Sequence, residues 1–281
     1  MSDIHQPWGD TVLVEFDDGI AWVYFNRPDK HNAMSPALNR EMRATLERLA
    51  TDERCGVLVL TGKGEAFAAG MDLREYFRET DEGPDTVLLA VRREAEEWQW
   101  RLLRNYPKPT IAMVNGWCFG GAFAPLVACD LAIAAEDALF GLSEVNWGIV
   151  PAGNAPKAAM EAMGYRAAMY YAMTGEPFDG RRAAETGLVN DAVPLSALRG
   201  RTRELAQVLL AKDPATLRGT KIAMKRVRDM DWDTSADYLY AKNAEALHLG
   251  GAANRKNAMK AFLDDKEFRP GVESFKSGGD S

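Results

Sequence analysis

Two glycine-rich turns and one carboxylate hold most of the chemical content of this sequence. The turns, within residues 60–73 and 114–126, each follow a short apolar run and lead into a helix-forming stretch. Glycine lets a ligand come close to the backbone, and the first turn of a helix leaves N–H groups without intrahelical partners. Such an end carries partial positive charge and suits an anion. Two of them on neighbouring strands can aim two amides at one oxygen, the geometry of an oxyanion hole. Spacing alone also fits a pair of ordinary strand-to-helix turns.

The carboxylate is Glu144, in the apolar, glycine-rich run FGLSEVNWG at residues 140–148. Partial desolvation there raises a carboxyl pKa towards the range useful for proton transfer. A loop glutamate paired with a nearby arginine is the plainer reading of the same residue. Other chemistries find no support in the motifs. The chain has no G-x-x-x-x-G-K-[ST], and no G-x-G-x-x-G follows a strand. Ser143 does not sit in a G-x-S-x-G elbow, and none of the 3 histidines has an evident nucleophile partner. His31 and His248 read as surface or packing residues. Cys55, Cys118 and Cys129 lack the spacing of metal ligands or of a disulfide framework. They read as small core residues of a reducing compartment, and no metal is expected.

The elements that must position these residues alternate between strand and helix. Residues 11–17 and 20–25 form a hairpin across Asp18-Gly19. Asn26 to Lys30 then breaks the strand. Ser35 as N-cap and Pro36 at the first helical position start a helix running to about Ala50. Residues 56–61, 110–114 and 131–134 are short, largely apolar runs and read as strands buried on both faces. The acidic stretch 79–85, with Gly83-Pro84, reads as an exposed loop, and 87–104 as a long amphipathic helix. From Pro194 onward the pattern is helical, ending in a polar, glycine-rich tail after Gly271. The expected fold class is therefore α/β: a layered core over residues 1–193 and a helical C-terminal section over 194–281.

Bulk properties narrow the partners. The chain has 281 residues, 47% hydrophobic and 27% charged, and a formal charge of −7. That balance gives no general attraction to nucleic acid or acidic membranes. No apolar run approaches the roughly 20 residues that cross a bilayer, and the N-terminus has no basic segment followed by an apolar one. A cytoplasmic location follows as the expectation.

Several ordered stretches resemble the crotonase (enoyl-CoA hydratase/isomerase) superfamily: IAWVYFNRPDKHNA at 20–33, VLVLTGKGEAFAAGMDL at 57–73, KPTIAMVNGWCFGGAFAPLVACD at 108–130, residues 140–153, Met173-Thr174-Gly175 and AAETGLV at 183–189. Within it the chain is most similar to the hydroxycinnamoyl-CoA (feruloyl-CoA) hydratase-lyases. That likeness lies in Glu75-Tyr76-Phe77-Arg78-Glu79, Glu97-Trp98-Gln99-Trp100, LSEVNWGI at 142–149 and Asp237-Tyr238-Leu239-Tyr240-Ala241-Lys242.

The resemblance implies a spiral of ββα units as the core. It implies the amides of Met71 and Gly121 as the oxyanion hole, Glu144 as acid and base, and Tyr76 and Tyr240 as partners of a phenolic hydroxyl. Coenzyme A, as part of an acyl-CoA substrate and not as a prosthetic group, would lie along Arg27, Lys30, Ala33, Ala69, Gly70, Asp72, Leu73 and Arg74. Ser143, Trp147, Gly120 and Ala124 would line the acyl pocket. Ala124 stands where ordinary hydratases carry a second catalytic glutamate, and residues 150–154 (VPAGN) are less proline- and glycine-rich than is usual. The implied activity is hydration and retro-aldol cleavage of a 4-hydroxycinnamoyl-CoA thioester. A simple enoyl-CoA hydratase or isomerase, or a non-catalytic binding protein of the same fold, is the alternative. The implied assembly is a homo-oligomer, a trimer or hexamer, with the C-terminal helices covering the site and packing on neighbours.

Overall fold

Apolar runs that stop at glycine set the course of the chain, which turns from one sheet to a second and then into a helix. The computed structural model describes residues 8–267 and 269–271. Its strands are β1 (Val12–Asp17), β2 (Ile20–Phe25), β3 (Val57–Gly62), β4 (Ala66–Ala68), β5 (Thr110–Val114), β6 (Trp117–Phe119), β7 (Leu131–Ala135), β8 (Leu139–Gly141), β9 (Phe178–Asp179) and β10 (Asp191–Val193). A six-stranded sheet runs β1-β2-β3-β5-β7-β10, and a four-stranded sheet runs β4-β6-β8-β9. The hairpin β1–β2 closes through Asp18 and Gly19 at φ 49° and 80°, the left-handed pair that a two-residue turn needs.

From β2 to β10 the large sheet is parallel. Strands β2, β3 and β5 are buried at every residue, which explains why their sequences are continuous apolar runs. Each of β3, β5 and β7 is followed after a few residues by a strand of the small sheet, and that strand by a helical segment. This repeat is the ββα spiral expected of the core.

Helix Pro36–Thr51 begins as expected: Ser35 Oγ accepts from Leu38 N at 3.2 Å, with Pro36 at the first position. The small sheet is absent from the sequence reading, which leaves Ala66–Ala68 inside a loop. Strands of two or three residues carry no period, and pairing with their neighbours defines them. The stretch 79–85 also differs. Glu79–Asp81 is helical, continuing a π-helical turn at Leu73–Arg78, and Asp85 already begins the helix Asp85–Glu96. The Asp72 carboxylate starts this early by accepting from Arg74 N at 3.0 Å and Glu75 N at 2.8 Å.

The chain divides into two compact units, one reaching to Tyr106 and resuming over Thr110–Arg203, the other made of Pro107–Pro109 and the chain from Glu204. The division falls inside the helix Leu195–Leu210, beyond Pro194, and the first half of that helix explains it. Arg199 donates to Tyr24 Oη at 2.5 Å and to Glu15 at 2.7 Å, and its guanidinium lies 4.2 Å from the Trp22 ring. Burial of Tyr24, partly countered by Arg199, pushes its phenol pKa up to about 12.

The second unit continues with helices Pro214–Val227, Trp232–Ala246 and Ala252–Leu263. Asp213 caps the first of these through Thr216 N at 2.7 Å and also accepts from Asn254 at 2.7 Å. Among the described residues no helix is long and apolar enough to cross a membrane. The readings of the first seven residues and of the tail after Gly271 lie outside the described residues.

Candidate active site

Three adjacent parallel strands of the small sheet end side by side. β4 pairs with β6, and β6 with β8 through Cys118 opposite Phe140 and Phe119 opposite Gly141. The residues that follow these ends are Ala69-Gly70-Met71, Gly120-Gly121 and Leu142-Ser143-Glu144. Parallel pairing therefore delivers both glycine turns and the carboxylate to one sheet edge, although they are far apart in sequence.

Backbone bonds then set the first turn. Ala69 N donates to His31 O at 2.9 Å, Met34 N to Gly70 O at 2.8 Å, and Asp72 N to Met34 O at 3.1 Å. Met34 and Met71 thus form an isolated parallel bridge in which Met34 makes both bonds. In that pattern the N–H and C=O of the opposite residue, Met71, point away from Met34. Among the described residues the Met71 amide has no backbone acceptor. The Gly121 amide, in the first turn of the 3-10 segment Gly120–Ala122 that leads into helix Phe123–Ala128, belongs to the N–H groups a helix start leaves over.

Glycine contacts bring the three pieces together. Gly70 has φ +97°, and a methyl there would stand 2.9 Å from Phe119 O and 3.6 Å from Gly121 N. A methyl on Gly121 would lie 3.1 Å from Met71 Cγ, and one on Gly120, at φ +51°, 3.0 Å from Glu144 Oε1. Glu144 opens the 3-10 turn Glu144–Trp147, which Gly148 ends in the left-handed region at φ 71°. Asn146 ties this turn to Gly175 O at 3.1 Å. Glu144 is half-buried, and its Oε2 is shielded from solvent with no hydrogen-bond partner among the described residues. Burial raises its pKa above the ordinary carboxylate value, opposed only by a bond from its own backbone. Among the described residues no arginine pairs with it or shifts its pKa, which speaks against the plainer reading.

Ser143 is half-buried beside Glu144, and Trp147 is exposed. Ala124 is buried on the helix Phe123–Ala128. Tyr76 lies half-buried in the π-helical turn, edge-on to Phe77 at 5.0 Å. Burial raises its phenol pKa, with Arg92 lowering and Glu96 raising it further. Tyr240 is 77% exposed on helix Trp232–Ala246 of the second unit.

The Arg27 guanidinium makes three bonds: Nη1 donates to Ala33 O at 2.6 Å and Asp72 Oδ2 at 2.9 Å, and Nη2 to Glu75 Oε1 at 2.5 Å. It clips the segment after β2 to the turn after Met71. Burial opposes ionisation of Asp72, yet bonds from Glu75 N, Arg27 and Arg74 N outweigh it and hold the carboxyl below its usual range. Lys30, Leu73 and Arg74 are exposed, Ala33 and Ala69 partly so, and Arg74 pairs with Glu79 at 3.1 Å. His31 is exposed and stacks on Trp117, with centroids 4.8 Å apart.

The clip and the buried amides Asn39 and Gln99 escape the sequence reading. A polar Asn39 among the buried apolar positions of helix Pro36–Thr51 is the one local signal for the latter.

Comparison with known proteins bears on this arrangement. A family model described as enoyl-CoA hydratase/isomerase matches residues 15–270. The chain is 56% identical over 276 residues to the hydroxycinnamoyl-CoA hydratase-lyase of Pseudomonas fluorescens, covering 98% of this chain and 100% of that protein. It is 30% identical to the 2,3-dehydroadipyl-CoA hydratase of Escherichia coli (strain K12), over 91% of this chain and 96% of that one. The crystal structure of an enoyl-CoA hydratase from Bacillus anthracis superposes with a TM-score of 0.82 at 26% identity, over 91% of this chain and 96% of that one.

Proposed function

The chain belongs to the enoyl-CoA hydratase/isomerase family, and from that premise we propose that it hydrates 4-hydroxycinnamoyl-CoA thioesters and cleaves the product to an aromatic aldehyde and acetyl-CoA. Feruloyl-CoA would give vanillin, with coumaroyl- and caffeoyl-CoA as related substrates. The carrying observation is the desolvated Glu144 carboxyl set against Gly120, one residue from Gly121 and its Met71 contact.

In this reading the thioester oxygen lies between the Met71 and Gly121 amides. Glu144 takes a proton from water as the hydroxyl adds to Cβ, and negative charge moves onto the thioester oxygen as an enolate. The same carboxyl returns the proton to Cα, giving the β-hydroxy thioester. Glu144 next takes the β-hydroxyl proton, the Cα–Cβ bond breaks, and its electron pair becomes the enolate of acetyl-CoA. Return of that proton to the enolate carbon closes the cycle. One pair of amides serves both halves because both pass through a thioester enolate, and amides preset for that charge need no reorganisation. With alanine at 124, a single carboxylate does all the proton transfer.

A phenol held by Tyr76 and Tyr240 would push electron density through the ring to Cβ. Coenzyme A would run along the exposed side of Lys30, Ala33, Ala69, Leu73 and Arg74, with Arg27 and Asp72 holding the backbone it lies on. The C-terminal helices would cover the site, their own or a neighbour's, in a cytoplasmic trimer or hexamer. Exposed Val150, Trp147 and Met173 support such an assembly.

Product analysis after incubation with feruloyl-CoA tests the reading. Equimolar vanillin and acetyl-CoA are expected, and accumulation of a stable β-hydroxyacyl-CoA would assign a simple hydratase instead. Tyr76→Phe and Tyr240→Phe should each lower turnover of feruloyl-CoA, by about tenfold for the loss of one charge-assisted hydrogen bond. Neither should affect a cinnamoyl-CoA that lacks the para hydroxyl. Unchanged rates in both variants would remove the phenol contact from the mechanism.

A further inference from the structure

Behind Met71 lies a group of buried polar side chains that the mechanism above does not use. Asn39 projects from helix Pro36–Thr51 and is fully buried. Trp98 and Gln99 come from a π-helical turn at Glu97–Leu102, and both are buried. A π turn inserts one residue into a helix and shifts which positions face inward, so two successive side chains can enter the core. Trp98 Nε1 donates to Asn39 Oδ1 at 2.8 Å, which fixes the orientation of that amide.

Gln99 Nε2 lies 3.4 Å from the same Asn39 oxygen, 3.5 Å from Met34 Sδ and 3.5 Å from Met71 Sδ. Met34 and Met71 are the two residues of the bridge that turns the Met71 amide outward. The Met71 sulfur also faces Gly121, where an added methyl would stand 3.3 Å from it and 3.7 Å from Met34 Cε. One buried primary amide therefore touches both sides of the bridge, and through Met71 it backs the second amide donor. Filling this space would need only leucine or methionine, and burying an amide among thioethers carries a desolvation cost that mere filling does not.

We propose that Gln99, oriented by Asn39, is a positioning residue for the oxyanion hole: its two amide N–H groups, shared among the Asn39 oxygen and the Met34 and Met71 sulfurs, hold the thioethers and fix the Met71 N–H against the thioester oxygen. The inference rests on the enolate chemistry proposed above. It predicts an effect on the polarised carbonyl and not on coenzyme A binding.

The test uses feruloyl-CoA bound to the Glu144→Gln protein, which keeps the ligand intact. Hydrogen bonds to the carbonyl oxygen draw density from the phenol along the conjugated chain and move its absorption to longer wavelength. Adding Gln99→Met should shrink that red shift to about half and, in the otherwise wild-type enzyme, lower kcat about tenfold with KM changed less than about twofold. An S-alkyl coenzyme A thioether, which has no thioester carbonyl, should bind equally to both proteins. In a Met71→Leu background, Gln99→Met should have no further effect.

A red shift and kcat unchanged by Gln99→Met would overturn the assignment. So would a parallel fall in Tm, thioether affinity and kcat, which would mark a packing residue. No red shift in the parent protein would overturn the oxyanion reading itself, and the Gln99 assignment with it.

Discussion

Glu144→Gln should lower kcat for feruloyl-CoA about 10³-fold and leave thioester binding within a few-fold, the scale of losing a positioned acid–base group. The amide keeps the shape of the carboxyl, so the contact with Gly120 survives and only proton transfer is removed. No second carboxylate shares the work in the proposed mechanism, because position 124 is a buried alanine. Steady-state rates at saturating substrate, with binding followed by the absorption of the bound thioester, check both halves. A loss of less than tenfold would move the acid–base role to another residue.

The same substitution should raise stability. Burial lifts the Glu144 pKa above its ordinary value, so the folded protein holds this proton more tightly than the unfolded chain does. Between the ordinary value and the raised one, stability therefore falls as pH rises, because the unfolded state binds fewer protons. Glutamine does not ionise and escapes that loss. The Tm of Glu144→Gln should exceed the wild-type Tm at neutral pH and converge with it in acid. Activity should move the opposite way: the acid limb of kcat/KM should lie above the position an ordinary carboxylate would give, since water activation needs the ionised form. A site residue that weakens the fold it sits in is a common mark of function.

How much of this is legible in the sequence depends on the range of each interaction. The Asp18-Gly19 turn, the Ser35 cap and the buried strands are decided within a few residues, and they stand where the sequence places them. Glu144 and the two glycine turns are legible as candidates for the same reason. Their convergence is not, because it depends on parallel pairing of β4, β6 and β8, strands of three residues each. The Arg27 clip joins residues 27, 72 and 75, a link between segments that no local pattern announces. Gln99 is hidden further still. Trp98 and Gln99 lie in a π turn, which shifts the positions that face inward and which the sequence does not signal. The tyrosines show the opposite limit: nothing local distinguishes Tyr76 or Tyr240 from packing or surface aromatics, and their assignment comes from resemblance.

Gly70→Ala should be the most damaging of the glycine-to-alanine changes at the site. Two separate costs meet at this position. A φ of +97° is a conformation that a residue with a Cβ rarely adopts, and such strain costs on the order of 1–3 kcal/mol. The new methyl would also press on Phe119 O at 2.9 Å, a backbone atom in strand β6 that cannot swing aside. Relief requires the turn after β4 to move away from the turn after β6, which separates the Met71 and Gly121 amides. A displacement of about 1 Å in a preset site is enough for a loss of about 10²-fold in kcat.

Gly121→Ala provides the contrast, since its methyl would meet only side-chain atoms, those of Met71 at 3.1 and 3.3 Å and Met34 Cε at 3.7 Å, and these can shift. Gly120→Ala lies between them: the obstacle is the movable Glu144 carboxyl, but the backbone is left-handed at φ +51° and the displaced group is the proposed base. Tm should therefore fall most for Gly70→Ala and least for Gly121→Ala, while kcat falls strongly for both Gly70→Ala and Gly120→Ala. Calorimetry and steady-state kinetics on the three proteins separate backbone collision from side-chain crowding. Equal effects at all three positions would show that the two turns are not held in contact through Gly70.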